Sequence, residues 1–258
     1  MPSKLLRHDP CPACGSKDNL AVYDDGHSHC FGCGHQIQPA KDKPVLPPEP
    51  LPPLVKPLIE FTAIKGLTKR GITEATAKHF GYGVAQHRGQ SVQVAEYRDQ
   101  QGNVCAQHIR DKDKRFQWLG DTSNIQLWGQ HLWRQGIGGG AQLFVVITEG
   151  EIDAMSVSQV QGNKFPVVSL PNGAQSAKKY LAANQQWLSQ FNRIVLCFDS
   201  DEPGTKAATD ALTILPLGKA AICHLPRKDA NEMLVNGEGD LLIRFHRMFA
   251  VHLRAAQG

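Results

Sequence analysis

The chain has 258 residues, of which 41% are hydrophobic and 20% charged, and its formal net charge is +4. It contains no run of about 18 apolar residues, and its first nine residues lack the apolar centre of a signal peptide. We therefore expect a cytoplasmic protein without a membrane partner. The mild positive charge permits nucleic-acid binding but does not prove it.

Four cysteines near the start of the chain have the spacing of a zinc ribbon. Two C-x2-C pairs lie 15 residues apart, which lets two tight turns present four thiolates to one Zn²⁺, and a glycine follows each pair where such turns need positive φ. An iron-sulfur site and a redox pair are the alternatives. The predicted ligands of one structural zinc are Cys11, Cys14, Cys30 and Cys33. The other cysteines lie in apolar stretches and are predicted to be reduced core thiols: Cys105, Cys197 and Cys223.

A proline-rich stretch separates this ribbon from the rest of the chain. Residues 39–57 contain 8 of the 16 prolines, so we expect a flexible linker rather than helix or inner strand. Residues 1–38 are too few to bury an adequate core, and zinc would therefore have to stabilise them. Beyond the linker we predict a globular body in two parts, residues 58–140 and 141–258.

The first part of the body is predicted to mix helix and strand. Residues 73–80 have the cap and periodicity of a short helix, and the alternating runs at 92–97 and 104–110 predict a hairpin with a glycine-containing turn. A basic run follows, with Lys112 and Lys114 at its centre, ahead of Phe116 and Trp118. Triphosphates and template backbones require such charges, although a solvated turn would explain them equally well.

From residue 143 onward, short apolar strands alternate with helical segments. The predicted strands are Leu143–Thr148, Val167–Leu170, Arg193–Phe198 and Ala220–Leu225. The predicted helices are Ile152–Gln161, Ala174–Gln190, Gly204–Leu215, Ala230–Val235 and Asp240–Arg254. This alternation predicts an α/β arrangement with a parallel sheet covered on both faces, whose active site would lie at the carboxyl ends of the strands.

Acidic residues follow two of these strands. Glu149 ends the first strand, and the helix after it carries Asp153. Another strand runs into Asp199 and Asp201, which would project to the same side if the chain stayed extended. Carboxylates that converge at one edge repel each other unless cations lie among them, and ligand sets made only of oxygen suit Mg²⁺ or Mn²⁺. The sequence therefore predicts a divalent-metal site at this edge.

These motifs in this order resemble a known family. The pattern Glu149-Gly150-x-x-Asp153 followed by Asp199-x-Asp201-x-x-Gly204 is similar to the Toprim domain of primases, type IA and II topoisomerases and related nucleases. With a four-cysteine ribbon before it, the chain resembles the primase half of the bifunctional primase-helicases of T7-like bacteriophages. Further segments similar to that family are Tyr97–Asp99, Arg110–Lys114, Thr148–Asp153 and Lys228–Glu232.

The resemblance implies a zinc ribbon joined to a Toprim-containing RNA polymerase domain, with a mixed α+β N-terminal subdomain before the Toprim subdomain. It implies a DNA primase that makes short RNA primers on single-stranded DNA with two Mg²⁺ or Mn²⁺ ions. Glu149, Asp199 and Asp201 would be the catalytic acids and metal ligands, with Asp229 a further magnesium ligand. Asp153 would be a supporting acid that orients Glu149 or the adjacent turn. A helix N-terminal acid at Asp153 and a helix N-cap at Asp229 are equally ordinary explanations.

The resemblance also implies how substrates and partners bind. Lys112 and Lys114 would contact the phosphates of incoming ribonucleoside triphosphates, and Asp25 and His27 of the ribbon would contact template bases. His27 could instead be an ordinary surface residue. A replicative helicase, covalent or separate, and a DNA polymerase are the implied partners, and an oligomer could form through the helicase. The sequence has no P-loop motif, so we do not expect this chain to unwind DNA itself.

A RecR-like recombination mediator is the main alternative, because it too carries a four-cysteine zinc motif and a Toprim domain but only binds DNA. Such mediators generally lack the full set of acids and carry a helix-hairpin-helix before the zinc site. A topoisomerase would need a nucleophilic tyrosine in an additional domain, and a Toprim nuclease would have little use for a ribbon that reads bases.

Overall fold

The computed structural model describes residues 3–38, 55–133 and 142–244, and the chain divides into two units at Leu54 and Val55. This boundary falls inside the predicted linker, most of which lies outside the described residues. Most of the last predicted helix, Asp240–Arg254, also lies outside them, and residues 239–244 are helical. Within the described ranges, no helix has the length and apolar character needed to cross a membrane.

The first unit is a four-stranded antiparallel sheet with two cysteine turns. Its strands, in spatial order, are β1 (Leu5–Asp9), β2 (Leu20–Tyr23), β3 (Ser28–Cys30) and β4 (Gln36–Ile37). Gly15 N–H donates to the Cys11 carbonyl and Gly34 N–H to the Cys30 carbonyl, each at 2.9 Å. Both glycines have positive φ, +69° and +73°, which confirms the predicted turns. The buried cluster of this unit is Leu20 with Cys11 and Cys30, a core too small to stabilise a fold by itself.

The second unit starts with helix α1 (Glu74–Phe80), capped by the side chain of Thr73, and a four-stranded antiparallel sheet. In order, its strands are β5 (Tyr82–His87), β6 (Gln90–Arg98), β7 (Val104–Arg110) and β8 (Phe116–Gly120). The predicted helix and hairpin are confirmed. The two outer strands, β5 and β8, were not predicted, because they are short and their alternation is interrupted by glycine or by polar residues.

A parallel four-stranded sheet follows, as predicted. Its strands are β9 (Gln142–Thr148), β10 (Val167–Ser169), β11 (Phe191–Cys197) and β12 (Ala220–Ile222), in the spatial order β10-β9-β11-β12. Its helices are α2 (Glu151–Val160), α3 (Ala177–Ala183), α4 (Gln185–Leu188), α5 (Glu202–Leu212) and α6 (Ala230–Val235).

The prediction of one helix over Ala174–Gln190 is wrong. The segment begins with a 3₁₀ turn at Ala174–Ser176 and is interrupted between α3 and α4 at Asn184. The Asn184 side-chain amide donates to the Tyr180 carbonyl at 2.8 Å, which satisfies a carbonyl at the helix end. An asparagine that bonds the backbone in this way competes with helix continuation.

The two central strands of the parallel sheet, β9 and β11, bring the predicted acids together. Residues 145–147 of β9 and 194–196 of β11 are fully buried, which fits strands covered on both faces. The register pairs Thr148 with Cys197, so the residues that follow these strands emerge side by side at the carboxyl edge.

Candidate zinc ribbon and acidic metal site

The four predicted zinc ligands form one cluster. The sulfur of Cys11 lies 3.7 Å from that of Cys33, and the sulfur of Cys14 lies 3.8 Å from that of Cys30. All four ligand atoms lie within 4.8 Å of one another. A tetrahedral zinc with Zn–S distances of about 2.3 Å requires sulfur–sulfur distances of about 3.8 Å. The cluster therefore has the dimensions of a four-thiolate zinc site.

Asp25 and His27 lie at the turn between β2 and β3, at the end of this strand pair opposite to Cys30 and its turn. The Asp25 carboxylate accepts the His27 backbone N–H at 3.1 Å and also contacts the Nδ1 atom of the His27 ring. The His27 ring stacks on Tyr23, with centroids 4.2 Å apart and an interplanar angle of 9°. These contacts fix the orientation of the imidazole while half of the Asp25 side chain stays exposed. Phe31, which the sequence analysis did not assign, is 65% exposed at the second cysteine turn.

Glu149 is held by backbone donors from two neighbouring loops. Its Oε1 atom accepts the Asp199 N–H at 3.0 Å, and its Oε2 atom accepts the Ala174 N–H at 3.2 Å. The Ala174 donor follows Gly173, whose backbone angles of +65° and −165° are accessible almost only to glycine. The carboxylate therefore lies in a preformed position at the end of β9.

Asp199 and Asp201 follow β11 but do not continue it. Strand β11 ends at Cys197, and the chain bends at residues 200–201. Asp201 is the N-cap of α5, and its Oδ1 atom accepts the Gly204 N–H at 3.0 Å. The requirements of the helix start therefore set the direction of the chain here, so the two acids are not placed by a continuing extended strand.

Asp229 and Asp153 also lie at helix starts. Asp229 caps α6 and accepts the Glu232 N–H at 2.7 Å. Asp153, in the first turn of α2, accepts the Asn231 N–H at 3.0 Å. It therefore orients the start of α6, and among the described residues it makes no hydrogen bond to Glu149. A Cβ atom at Gly150 would lie 3.4 Å from its Oδ2 atom, so Asp153 also packs against the turn after β9.

The pKa values show that these acids share one electrostatic environment. Burial, followed by the charge of Asp199, raises the pKa of Glu149 to about 7. Burial and the charge of Asp229 raise the pKa of Asp199 to about 6 and that of Asp153 to about 8. The nearest ion pair, Lys228 Nζ to Asp199 Oδ2 at 3.9 Å, offsets part of this repulsion. These carboxylates outnumber the positively charged side chains beside them, and a cluster of oxygen ligands of this kind suits a hard divalent ion.

The acids are more widely spaced than the cysteines. In the part of the chain that the structure describes, no three carboxylates approach within the 4.8 Å that the cysteine cluster achieves. Asp201 and Asp229 each use the Oδ1 atom to cap a helix. The Oδ2 atom of each has no hydrogen bond among the described residues. These oxygens, with Glu149 and Asp199, are the ones that the predicted ligand set would use.

A polar cleft of about 180 Å³ adjoins these acids. Asp153 and Asp229 line it together with Arg70, Arg110 and His108. Lys112 and Lys114 are not among its lining residues. They are exposed on the tight turn between β7 and β8, and in the described ranges neither makes an ion pair. Arg115 on the same turn is neutralised by Asp111 and Asp113, at 2.8 and 2.9 Å.

A hydrogen-bonded network beside the cleft was not predicted from the sequence. Glu151 accepts hydrogen bonds from the Tyr97 hydroxyl at 2.8 Å and from His108 Nδ1 at 2.7 Å. Burial disfavours the ionised carboxyl, but the hydrogen bond and charge of His108, the Glu151 backbone N–H and the Tyr97 hydroxyl together outweigh it, and the pKa of Glu151 is lowered. Glu151 lies in the Thr148–Asp153 segment that is similar to the family, so the sequence singled out this position. Its hydrogen-bond partners could not be predicted, because they come from strands β6 and β7, which are distant in sequence.

Asn231 forms a second contact, not anticipated from the sequence, between the two parts of the second unit. Only 2% of its surface is exposed. Its side chain accepts a hydrogen bond from the Arg70 guanidinium at 3.0 Å and donates to the Arg70 carbonyl at 2.8 Å and to Ser156 Oγ at 3.0 Å. It thereby ties the segment before α1 to α2 and α6. The contact has no local signal, because 161 residues separate Arg70 from Asn231.

The two parts of the second unit match different protein families. Residues 63–120 match the family described as "Bacteriophage T7 DNA helicase/primase, N-terminal a+b fold". Residues 146–234 match the family described as "Toprim-like". The matched ranges correspond to the antiparallel sheet with α1 and to the parallel sheet with most of its helices.

Whole-chain relatives agree with these matches. The chain is 41% identical over 250 residues to the DNA helicase/primase of Enterobacteria phage T3, a match that spans 93% of this chain but 43% of that relative. It is 38% identical to the crystallised primase fragment of the bacteriophage T7 primase-helicase, with a TM-score of 0.69 and coverage of 94% and 99%. It is also similar to the primase domains in a structure of the T7 lagging-strand DNA polymerase with two gp4 subunits bound to an RNA/DNA hybrid and dTTP, with 44% identity, a TM-score of 0.65 and coverage of 71% and 90%.

The chain thus spans less than half of its phage T3 relative but nearly all of the T7 primase fragment. The cysteine cluster, the mixed antiparallel subdomain and the parallel sheet with its acidic edge occur in the order that the motifs predicted. The chain belongs to the T7-like bacteriophage primase-helicase family and corresponds to its primase half.

Proposed function

We propose that the chain is a DNA primase that synthesises short oligoribonucleotides on single-stranded DNA by metal-dependent nucleotidyl transfer. The observation that carries this proposal is the hydrogen bond from the Asp199 backbone N–H to Glu149 Oε1. In a chain of this family, it brings together the acids that follow β9 and β11. The phage T3 relative is named a DNA helicase/primase, and a structure of the T7 lagging-strand DNA polymerase contains primase domains of two gp4 subunits bound to an RNA/DNA hybrid and dTTP.

Glu149, Asp199, Asp201 and Asp229 would hold the divalent ions. When bound, such ions lower the pKa of an attacking hydroxyl and neutralise charge on the phosphates that are transferred and released. Glu149 is oriented for this by two backbone N–H donors, and Asp201 and Asp229 are oriented by the helix starts that they cap. Lys228, 3.9 Å from Asp199, supplies a positive charge beside the same group.

Nucleotide phosphates would bind beside this edge. Arg70 and Arg110 line the cleft that contains Asp153 and Asp229. Lys112 and Lys114 on the β7–β8 turn are exposed and, among the described residues, free of ion pairs, so their ammonium groups are available for phosphate oxygens. We assign the triphosphate of the incoming nucleotide to these cations.

The ribbon would read the template. Asp25 and His27 form a fixed acceptor and imidazole pair on a turn, and the Tyr23 ring supports the imidazole from one side. Exposed bases of a single strand can hydrogen-bond to such groups and stack on aromatic rings such as Phe31. The zinc would fix the two cysteine turns and, through them, the strand pair that carries Asp25 and His27. A helicase and a DNA polymerase remain the proposed protein partners.

The decisive test is primer synthesis. The purified, zinc-loaded chain should form short oligoribonucleotides on single-stranded templates of varied sequence with Mg²⁺ or Mn²⁺. Glu149→Ala and Asp199→Ala should abolish the product, whereas Asp210→Ala, at an acid on the outer part of α5, should not. If the wild-type chain shifts DNA in a gel but makes no product on any template, the mediator alternative replaces this proposal.

A further inference from the structure

We propose that Trp118 is a positioning residue for Glu149, acting through Asn172 and the loop that follows β10. The inference deepens the proposed function, because it takes Glu149 as a metal ligand. Trp118 lies in β8 of the antiparallel sheet and Glu149 at the end of β9 in the parallel sheet. The proposed role therefore connects the two halves of the second unit.

The first connection is a hydrogen bond between the two sheets. The Trp118 indole Nε1–H donates to Asn172 Oδ1 at 2.9 Å, across 54 residues of sequence. Among the described residues, the Asn172 side chain makes no other hydrogen bond. An indole has one N–H, so its direction is set by the ring, and a fixed ring fixes the donor.

The Trp118 ring is itself fixed. It stacks on His108 with centroids 4.5 Å apart and an interplanar angle of 18°, and it contacts Tyr97 edge-on at 4.7 Å. His108 and Tyr97 are both held by the partly buried carboxylate of Glu151. The donor to Asn172 therefore rests on a packed aromatic group rather than on a mobile side chain.

The second connection runs through the backbone of the loop. Gly173 follows Asn172, and its φ of +65° and ψ of −165° turn the next peptide so that the Ala174 N–H donates to Glu149 Oε2 at 3.2 Å. Glycine leaves this loop with many accessible conformations, so the one that presents Ala174 to Glu149 needs an external contact. Trp118 supplies that contact from the neighbouring sheet.

A carboxylate that loses one of its two oriented donors is less well placed to bind a cation. We expect Trp118→Phe, which keeps a ring for the stack but removes the N–H, to weaken Mn²⁺ binding by about 3- to 10-fold, the range of one neutral hydrogen bond. The dissociation constant is measured by electron paramagnetic resonance, without any reaction. Primer synthesis should show the same shift in the Mg²⁺ concentration for half-maximal rate, with an unchanged KM for nucleotides at saturating Mg²⁺.

Asn172→Ala should weaken Mn²⁺ binding as much as Trp118→Phe, and the double variant should be no worse than either one, because all three remove the same hydrogen bond. The control is Trp187→Phe, which removes a buried indole N–H that has no hydrogen-bond partner among the described residues. Melting temperatures identify any variant that fails to fold, and Asn172→Ala, at an exposed position, provides the test if Trp118→Phe does not fold.

Wild-type Mn²⁺ affinity in both single variants would overturn the proposal, as would additive effects in the double variant or an equal loss in Trp187→Phe. These outcomes are distinct from failure of the proposed function. That failure would appear as a wild-type chain that makes no primers, whereas the positioning role is judged from the Mn²⁺ affinities of the variants relative to the wild type.

Discussion

The first turn of α5 packs directly against Glu149 at Gly204. A Cβ atom at this position would lie 2.6 Å from Glu149 Oε1 and 2.3 Å from the Asp199 carbonyl oxygen. Both distances are below any that a real Cβ atom adopts, and one of the two neighbours is backbone. The absence of a side chain at Gly204 is therefore what lets the helix start, the strand end and the carboxylate approach one another.

Gly204→Ala is expected to destabilise the protein and to abolish most primer synthesis. In an exposed helix interior this change would stabilise by about 1 kcal/mol, but here the overlap should cost about 1–3 kcal/mol and displace Glu149 or Asp199. Chemical denaturation and primer yield test both effects. Lys206→Ala, on the exposed side of the same helix, should alter stability by less than about 0.5 kcal/mol. Equal stability of Gly204→Ala and wild type would contradict the packing argument.

The raised pKa values of the acidic edge predict a link between pH, metal and stability. Since the pKa values of Glu149, Asp199 and Asp153 rise to about 7, 6 and 8, the folded state binds protons more tightly than the unfolded chain, whose carboxyls titrate near about 4. Their contribution to the stability of the metal-free protein is full below about pH 4 and is lost as the pH rises to about 8.

Mg²⁺ should therefore raise the melting temperature more at pH 8 than at pH 5, because ionised carboxylates both repel each other and bind the ion. Asp199→Asn should raise the metal-free melting temperature at pH 8 and reduce the response to Mg²⁺. Melting curves with and without Mg²⁺ at the two pH values provide the measurement. An equal Mg²⁺ response at both values would count against a metal site made from these acids.

Removal of zinc should affect the ribbon alone. Cys30→Ser, at a fully buried ligand, should reduce bound zinc from about one ion per chain to none and unfold the first unit, whose apolar core is small. Initiation on a template should be lost while extension of a supplied primer persists. Elemental analysis and limited proteolysis follow the two changes, and Cys105→Ser is the control outside the cluster. Loss of extension as well would mean that the ribbon is needed for more than template recognition.

Lys112→Ala and Lys114→Ala should weaken nucleotide use without loss of stability. Each lysine is exposed, so its removal leaves no buried charge, and the loss of one phosphate contact should raise the KM for nucleotides by about 10-fold. Steady-state kinetics measure this change. Lys178→Ala, whose ammonium lies 3.8 Å from Asp210 on the surface, is the matched control and should leave the KM unchanged. An unchanged KM in both variants would remove these lysines from the nucleotide site.

The elements that the sequence predicted well are those with a strong local pattern. The cysteine spacing defined the zinc cluster, and the apolar runs at β9 and β11 defined the sheet edge on which Glu149 and Asp199 meet. What it predicted poorly depends on tertiary contacts or on side-chain caps. Asn184 interrupts the helix predicted over residues 174–190, and the Asp201 cap starts α5 at Glu202, two residues before its predicted start.

The site residues show the same division. Glu149 and Asp199 could be predicted as candidate metal ligands from their positions after apolar strands. The partners of Glu151 come from another sheet, and the donor that holds Asn172 is a tryptophan 54 residues away, so no local pattern contains them. Because these contacts are made by side chains distant in sequence, they depend on how the two sheets pack.

The contacts of Asn231 have a consequence for how the protein unfolds. Separating the segment around Arg70 from α2 and α6 would break both hydrogen bonds between Arg70 and Asn231, each worth about 0.5–1.5 kcal/mol. Gln159 adds two bonds at the same junction, to the Thr73 N–H and the Gly71 carbonyl, each at 2.7 Å. Residues 63–120 and 146–234 match separate families but share this junction and one apolar core. Calorimetry should therefore record a single cooperative transition for them, and neither half should persist as a partly folded intermediate.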